Sequence, residues 1–538
     1  MLTALGLGLA GTWAFWPALH GGWVWDDIEQ VAHNPVLRDP AGLAAIWLRP
    51  PGADYFPLTA TAQWLQWRLW GGDPLGYHCV NVACHVLGAW LLWRILRRLG
   101  IEAAWLGGLL FVLHPLAVES VAWISELKNV LSFPLLLLAF GAYLEFDDGG
   151  RRRDLVRSNL WFLAAMLAKT SVAMFPGFLL VHAWWRRGRV GRTDLLAATG
   201  FGAVSLVLGV VTIHFQIQRA LGSDGTAFFS SGHPTAGLTQ AIFSFWFYFK
   251  RCLWPARLMP IYPSDLLGSE PLRAWTAAGV SAAVLGVLWF RRAAWGRHVI
   301  LGIGWFLLNL LPVLGVVPMA FLRIAPVADH LAYVSLAGIA GLAAAAASPW
   351  SGRETASRSA KRARTLRWAG VAAAAALAVE THRYAAVFQS EETLWTYAVD
   401  HNPAAWMAQF NLGNVLLAKS DWPGAISRYE AALAERPAYA EAENNLGIAL
   451  SREGRVSDAL PHFQRALRLR PDYPEAGSNL GLALATTGRL EDAILRYEEV
   501  LRLHPDYLRA RDNLALALRA AGRNQEAQTL LDSSPPEK

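Results

Sequence analysis

Four prolines, Pro403, Pro437, Pro471 and Pro505, stand 34 residues apart, and so do Asn411, Asn445, Asn479 and Asn513. Ala425, Ala459, Ala493 and Ala527 keep the same interval, as do Gly413, Gly447 and Gly481, with Ala515 in the fourth place. A fixed period of this length marks a stacked array in which each unit buries its apolar face only against its neighbours. The unit reads as two helices and a turn. Gly413 and its equivalents let the first helix approach the second, and Ala425 and its equivalents sit where the second packs back. The prolines mark the turn before the next unit. The array runs over 403–538, about four repeats, with Pro535-Pro536 ending a short fourth unit that acts as a cap. The Asn column, Asn411, Asn445, Asn479 and Asn513, is a candidate grip for the backbone of an extended peptide in the concave groove. The same residues also suit plain polar filling of that face.

The chain before the array is of another kind. Of the 538 residues 54% are hydrophobic and 17% charged, below the quarter charged of an average soluble domain, and many of the 26 Trp flank apolar runs. A helix needs about 20 apolar residues to cross the hydrocarbon core. Such spans read at 3–19, 78–97, 102–118, 128–146, 194–214, 274–290, 299–319, 327–347 and 368–387. The stretch 159–185 is interrupted at Lys169-Thr170 and Pro176 and has basic flanks on both sides, Arg151 to Arg157 and Arg186 to Arg192. Two short helices with a turn near Lys169 keep both flanks on one side, so a hairpin is expected. The segment 242–256, with Lys250 and Arg251, reads as an interfacial helix.

The expected fold is therefore all-α: a polytopic bundle of about eleven spans over 1–387, a linker over 388–402, and the solenoid. Basic loops at 94–101, 147–157, 186–193, 291–298 and 349–367 fall inside, and 20–77, 119–127, 215–273 and 320–326 fall outside. The N-terminus is then inside and the array outside, with the first span an uncleaved anchor rather than a signal peptide. The formal charge of +7 follows from basic residues at span ends and implies no nucleic-acid partner. Cys79, Cys84 and Cys252 form no disulfide framework or metal spacing.

Three outside segments carry chemistry. The loop 20–77 opens with Trp25-Asp26-Asp27, two carboxylates bracketed by interfacial aromatics, and a carboxylate beside a bound hydroxyl is a general base. The next joins two spans through His114-Pro115 to Glu119 and on through Trp123 to Asn129. Lys128 there can hold a phosphate as a point charge or snorkel to headgroups, and His114 and Glu119 suit capping or packing better than a metal. A later loop carries Arg323, Asp329, His330 and Tyr333, with Asp329 placed to cap the following helix. Lys169, a cation in an apolar stretch, is a functional candidate by its place alone. No Walker loop, dinucleotide motif or zinc spacing appears, so no cofactor and no metal is assigned.

In order, Trp25-Asp26-Asp27 with Asn34, Pro57-Leu58-Thr59, His114 to Glu119, Ser125 to Leu131, Lys169 and Ala328-Asp329-His330 resemble the transmembrane and tetratricopeptide (TPR) repeat-containing O-mannosyltransferases, within the GT-C glycosyltransferases. The Asn-Leu-Gly repeats likewise look like those of TPR proteins that grip peptide backbones. The resemblance covers nearly the whole chain. It implies a GT-C membrane fold, a polyprenyl-phosphate sugar as donor, and inverting transfer of mannose or another hexose to Ser or Thr of an exported polypeptide presented by the repeats. It makes Asp26 or Asp27 the base, and Lys128, with Lys169 and His330, the donor-phosphate cations; His114, Glu119 and Asp329 shape the site. Two departures weaken its cationic side: Tyr55-Phe56-Pro57-Leu58 lacks the family's Arg, and Asp329-His330-Leu331 stands where Asp-Arg-Tyr is common. The alternative reading is a non-enzymatic scaffold that anchors the TPR array for envelope proteins. Richness in Ala, Gly and Arg suggests a high-GC bacterium, and so its inner membrane.

Overall fold

The computed structural model describes residues 2–48, 54–221, 234–264, 266, 271–314, 320–349 and 356–532. Pro535-Pro536, the side chain of Arg323, the end of the span expected at 299–319 and parts of the loops 20–77, 215–273 and 349–367 lie outside these residues. The described chain divides into two compact units, 1–394 and 395–538, and each is taken by itself.

The first unit is helical and multi-spanning. Six described helices are long and apolar enough to cross a membrane, among them Pro74–Arg98, Arg192–Ile217 and Leu272–Phe290. The expected count of eleven is met only if shorter and broken helices also cross. The first expected span stops short: α1 (Leu2–Ala14) is followed at Phe15 by a separate turn, Trp16–Leu19, with Pro17 at its start. The span expected at 102–118 breaks into Ala104–Val112 and Pro115–Ala122, bent by 53°. Pro115 cannot continue the first helix, since its ring clashes with the turn before it. Of the segment 242–256, residues 242–253 belong to a helix over Pro234–Leu253, and the last three lie beyond its end.

Ion pairs mark the two ends of the bundle. Label Pro74–Arg98 α2, Leu127–Gly149 α3, Arg152–Ala168 α4 and Phe175–Arg187 α5. At the C-terminal end of α3, Asp147 receives Arg186 at 2.5 Å and Arg187 at 2.6 Å, and Asp148 receives Arg98 at 2.7 Å. At its N-terminal end Asn129 receives Lys169, from the break between α4 and α5, at 2.6 Å. Twenty-three helical residues at about 1.5 Å each hold these ends some 35 Å apart. The chain thus leaves the basic end along α4, turns at Lys169, and returns to the basic end along α5. The hairpin reading of 159–185 follows from these contacts.

In the second unit each repeat is a pair of helices, Trp406–Ala418 with Trp422–Glu435, Ala440–Arg452 with Val456–Leu469, and Pro474–Thr486 with Leu490–Leu503. The last pair is Leu508–Ala520 with Asn524–Asp532. The small-residue columns act as expected. Ala425, Ala459, Ala493 and Ala527 are all fully buried. A Cβ on Gly413, Gly447 or Gly481 would come within 2.6 to 2.7 Å of the ring of Tyr429, Phe463 or Tyr497, each sixteen residues on. In the fourth unit the glycine is replaced by Ala515 and the ring by Leu531, so a larger small residue faces a smaller large one.

Residues 391–401, expected as linker, form a helix. Trp395, fully buried, stands 34 residues before Tyr429, so the helix takes the place of a second helix in a preceding half-unit. The turn between paired helices has its own column: Gly454, Gly488 and Gly522 have φ of +89°, +81° and +80°, and Ser420 fills the same place at +62°. A side chain in this left-handed region costs about 1 kcal/mol that glycine avoids. Ser420→Gly is accordingly expected to raise the melting temperature of the repeat unit by about 2–4 °C in calorimetry of the full chain.

Candidate active site

The site begins with the loop after α1. Trp25 takes a left-handed backbone, φ +53°, and its ring stacks on Trp123 at 4.7 Å between centroids. That turn drives Asp27 inward, where it is fully buried. Its Oδ1 accepts the Ser125 N–H at 2.7 Å and its Oδ2 accepts the Val24 N–H at 3.2 Å. Asp27 thus latches the loop to the short turn Ile124–Glu126 that starts α3. Burial pushes its carboxyl up to about 7, against the lowering pull of the two N–H donors and with a small push from Asp26.

The sign of the resulting pH effect is fixed. A carboxyl raised on folding keeps its proton longer in the native state, so its contribution to stability is full below pH 3.8 and is lost as pH rises through about 7. The melting temperature of the wild type is therefore expected to fall between about pH 4 and pH 7 relative to that of Asp27→Asn, whose curve lacks this component.

Asp26 is placed differently. It is half-buried, and its Oδ2 accepts from Gln30 Nε2 at 2.7 Å. Its charge acts on Lys128, as does that of Asp54.

The two lysines meet across a carboxylate. Lys128 Nζ lies 2.8 Å from Glu126 Oε1, and Lys169 Nζ lies 3.5 Å from Glu126 Oε2 and 2.6 Å from Asn129 Oδ1. Asn129 Nδ2 in turn donates to Glu126. Glu126 is 2% exposed and the Lys169 side chain 9%, whereas Lys128 keeps 17% and is the more open cation. Gln216 Nε2 donates to Asp54, which also acts on both lysines.

A second buried group adjoins the first through Trp123, whose ring lies 6.0 Å from that of His330. Glu119 Oε2 accepts the His330 backbone N–H at 2.9 Å, and its Oε1 lies 3.0 Å from His330 Nδ1 at an angle poor for a hydrogen bond. Asp329 is not the helix cap expected: its Oδ1 accepts from Tyr262 Oη at 2.8 Å, and the turn it opens has no side-chain cap. His114 is fixed at both nitrogens. Nδ1 accepts the Leu116 N–H at 3.2 Å, which leaves the Nε2 proton for the Cys252 carbonyl at 3.2 Å. It caps the turn after the break at Pro115. His114, Glu119 and Asp329 thus hold backbone and tyrosine groups around the site.

Of the residues singled out in the sequence, Asp26, Asp27, Lys128, Lys169 and His330 come together. Glu126, Asn129 and Asp54 were missed. Glu126 stands two residues before Lys128 in a stretch already marked, but nothing local shows that a lysine from the 159–185 hairpin shares it.

The Asn column turns out to be engaged between repeats. Asn445 Nδ2 donates to Asn414 Oδ1 at 2.9 Å, Asn479 Nδ2 to Asn444 Oδ1 at 2.9 Å, and Asn513 Nδ2 to Ser478 Oγ at 3.3 Å. These bonds stitch the first helices of successive repeats together.

The geometry can be set beside known proteins. Tetratricopeptide repeat models match residues 391–440, 412–474 and 486–538, which include the half-unit at 391. A protein O-mannosyl-transferase of Caenorhabditis elegans is 28% identical over 139 residues, 22% of this chain and 20% of its own length. Tmtc1 of Drosophila melanogaster, also a protein O-mannosyl-transferase, is 30% identical over 166 residues, 28% of this chain and 19% of its own. The chain is similar to the TMTC protein O-mannosyl-transferases. TMTC4 of Mus musculus is 25% identical over 226 residues, 36% of this chain and 30% of its own length. The matched part therefore spans less than a third of each of these TMTC relatives. Among solved structures YrrB, a TPR protein with an unusual peptide-binding site, is 26% identical, covering 26% of this chain and 72% of its own at a TM-score of 0.24. That likeness adds nothing to the period and the repeat models, which carry the TPR assignment.

Proposed function

We propose that the chain is a GT-C-type glycosyltransferase that moves a hexose, mannose first among them, from a polyprenyl-phosphate donor to Ser or Thr hydroxyls of a polypeptide held by the TPR repeats. The observation that carries this reading is the gathering of Asp26, Lys128 and Lys169 from three distant parts of the chain around one end of α3. The TMTC relatives, named as protein O-mannosyl-transferases, support the acceptor class.

The chemistry divides among these residues. Asp26 takes the proton of the acceptor hydroxyl as its oxygen attacks the anomeric carbon. The bond from that carbon to the phosphate oxygen breaks, and the configuration inverts. The departing polyprenyl phosphate carries its negative charge toward Lys128, the more open cation, with Lys169 behind it. Glu126 cancels one of the two positive charges, so the pair offers a net single charge to the phosphate. Preorganised cations of this kind act where charge develops and need no rearrangement during the step. Asp27, with both oxygens on backbone N–H groups, is the latch that sets Asp26 and the start of α3 in place.

The setting proposed is a bacterial inner membrane, with the N-terminus inside and both the loop 20–77 and the TPR array outside. The test is transfer in proteoliposomes from polyprenyl-phosphate mannose to a Ser/Thr-rich polypeptide, followed by mass spectrometry of the acceptor. Removal of residues 395–538 is expected to spare donor binding and to lower polypeptide transfer at least tenfold. Undiminished transfer after the truncation would assign a glycan or lipid acceptor, and absence of any transfer by the full chain would leave the scaffold reading.

A further inference from the structure

The basic end of the bundle, about 35 Å along α3 from the lysine pair, carries a groove of about 830 Å³ between α1, α2, α3 and α4. Its floor is apolar, formed by Leu91 and Ile95 of α2 and Leu137 and Leu138 of α3. Its rim is built of arginine and tryptophan. Two of its arginines are already neutralised: Arg98 pairs with Asp148 at 2.7 Å, and Arg157 pairs with Glu145 and with Asp154. Glu145, the one acid in the lining, is thereby spent.

The other two are not neutralised. Arg94 lies 4.9 Å from the centroid of the Trp90 ring and Arg97 lies 5.8 Å from that of Trp93. Both are exposed, and neither makes an ion pair among the described residues. Each is held in the groove by a ring that contacts the cation without cancelling its charge. The groove therefore presents two fixed, uncompensated positive charges above an apolar floor at the end of a membrane-crossing helix.

We infer that this groove binds one anionic phospholipid, its phosphate between Arg94 and Arg97 and its acyl chains along Leu91, Ile95, Leu137 and Leu138. Charge complementarity selects the headgroup, since a zwitterionic lipid brings its own cation to the same place. The amphipathic profile selects a lipid over a soluble phosphate, because a phosphate alone leaves the apolar floor in contact with water. Basic pockets between helices near a membrane surface are suited to anionic headgroups, and each Lys or Arg near such a surface contributes about fivefold in affinity. The site is separate from the proposed transfer chemistry and does not depend on it.

The test uses the purified full chain in detergent, titrated with an equimolar mixture of phosphatidylglycerol and phosphatidylcholine and read by native mass spectrometry. Wild type is expected to retain phosphatidylglycerol at least fivefold over phosphatidylcholine, and the Arg94→Gln/Arg97→Gln variant to lose that preference. Each single variant, expected to lose part of it, carries the test should the double variant fail to purify. Equal retention of the two lipids by the wild type, or an undiminished preference in the variants, overturns the proposal. So does displacement of the lipid by millimolar glycerol 3-phosphate, which would assign the groove to a soluble phosphate.

Discussion

Asp26→Asn is expected to lower sugar transfer by roughly 10²- to 10⁴-fold, the usual contribution of a positioned general base, with the chain still folded. The two halves of that expectation rest on different observations. The fall in rate follows from its placement: half-buried, within electrostatic reach of Lys128, on the loop that Asp27 pins to the start of α3. Retention of the fold follows from its half-buried place and from its bond with Gln30 Nε2, for which an Asn oxygen is an adequate acceptor. Asp27→Asn must behave otherwise. Its two oxygens both accept backbone N–H groups, and an amide can satisfy only one of them and turns a donor toward the other. That leaves a buried N–H unpaired at about 1–3 kcal/mol. Rate loss there comes with loss of stability. Transfer assays beside thermal unfolding separate the two: a base shows loss of rate alone and a latch shows both. Wild-type rates in Asp26→Asn would remove Asp26 from the mechanism, and wild-type stability in Asp27→Asn would remove the latch.

The contrast between these neighbours could not be read from the sequence. Trp25-Asp26-Asp27 marks a place where carboxylates matter, but which one turns inward is decided by the left-handed backbone at Trp25 and by Ser125, ninety-eight residues away. What the sequence does carry is periodic or local. The repeat interval fixed the TPR helix pairs and their glycine contacts, because each unit meets only its neighbours. The basic flanks of 159–185 fixed the return of the chain at Lys169, because both must reach the same acidic end of α3. The half-unit before Pro403 was hidden, since the Pro, Asn, Gly and Ala columns do not extend into it and only Trp395 keeps the register. The helix break at Phe15 was hidden too, and the span read at 102–118 ran on past the turn at His114-Pro115, because hydropathy sums over a window and does not register a turn inside it. Long-range pairing is the common element of what was missed: Tyr262 with Asp329, and Lys169 with Glu126.

That last pairing supports the second large effect. Glu126→Gln is expected to destabilise the first unit by about 3–5 kcal/mol, the cost of removing one partner from a buried ion pair. The reason is visible in the contacts: Glu126 is 2% exposed and is the carboxylate that both Lys128 and Lys169 approach. Without its charge two ammonium groups face each other in a poorly hydrated place. Removing the neighbour as well, in Glu126→Gln/Lys169→Met, should recover most of the loss, since the pair then leaves together. A purely structural ion pair predicts this much and no more. A phosphate site predicts one further result. If the donor phosphate binds at Lys128, a polyprenyl phosphate supplies the anion that Glu126→Gln lacks, and it binds the folded state of the variant more tightly than that of the wild type. Ligand stabilisation grows with the logarithm of concentration over dissociation constant. The shift in unfolding on adding polyprenyl phosphate should therefore be larger in Glu126→Gln than in the wild type, and largely absent in Lys128→Met. Equal shifts in all three chains would mean that the lysines hold the bundle together and that the donor phosphate is bound elsewhere.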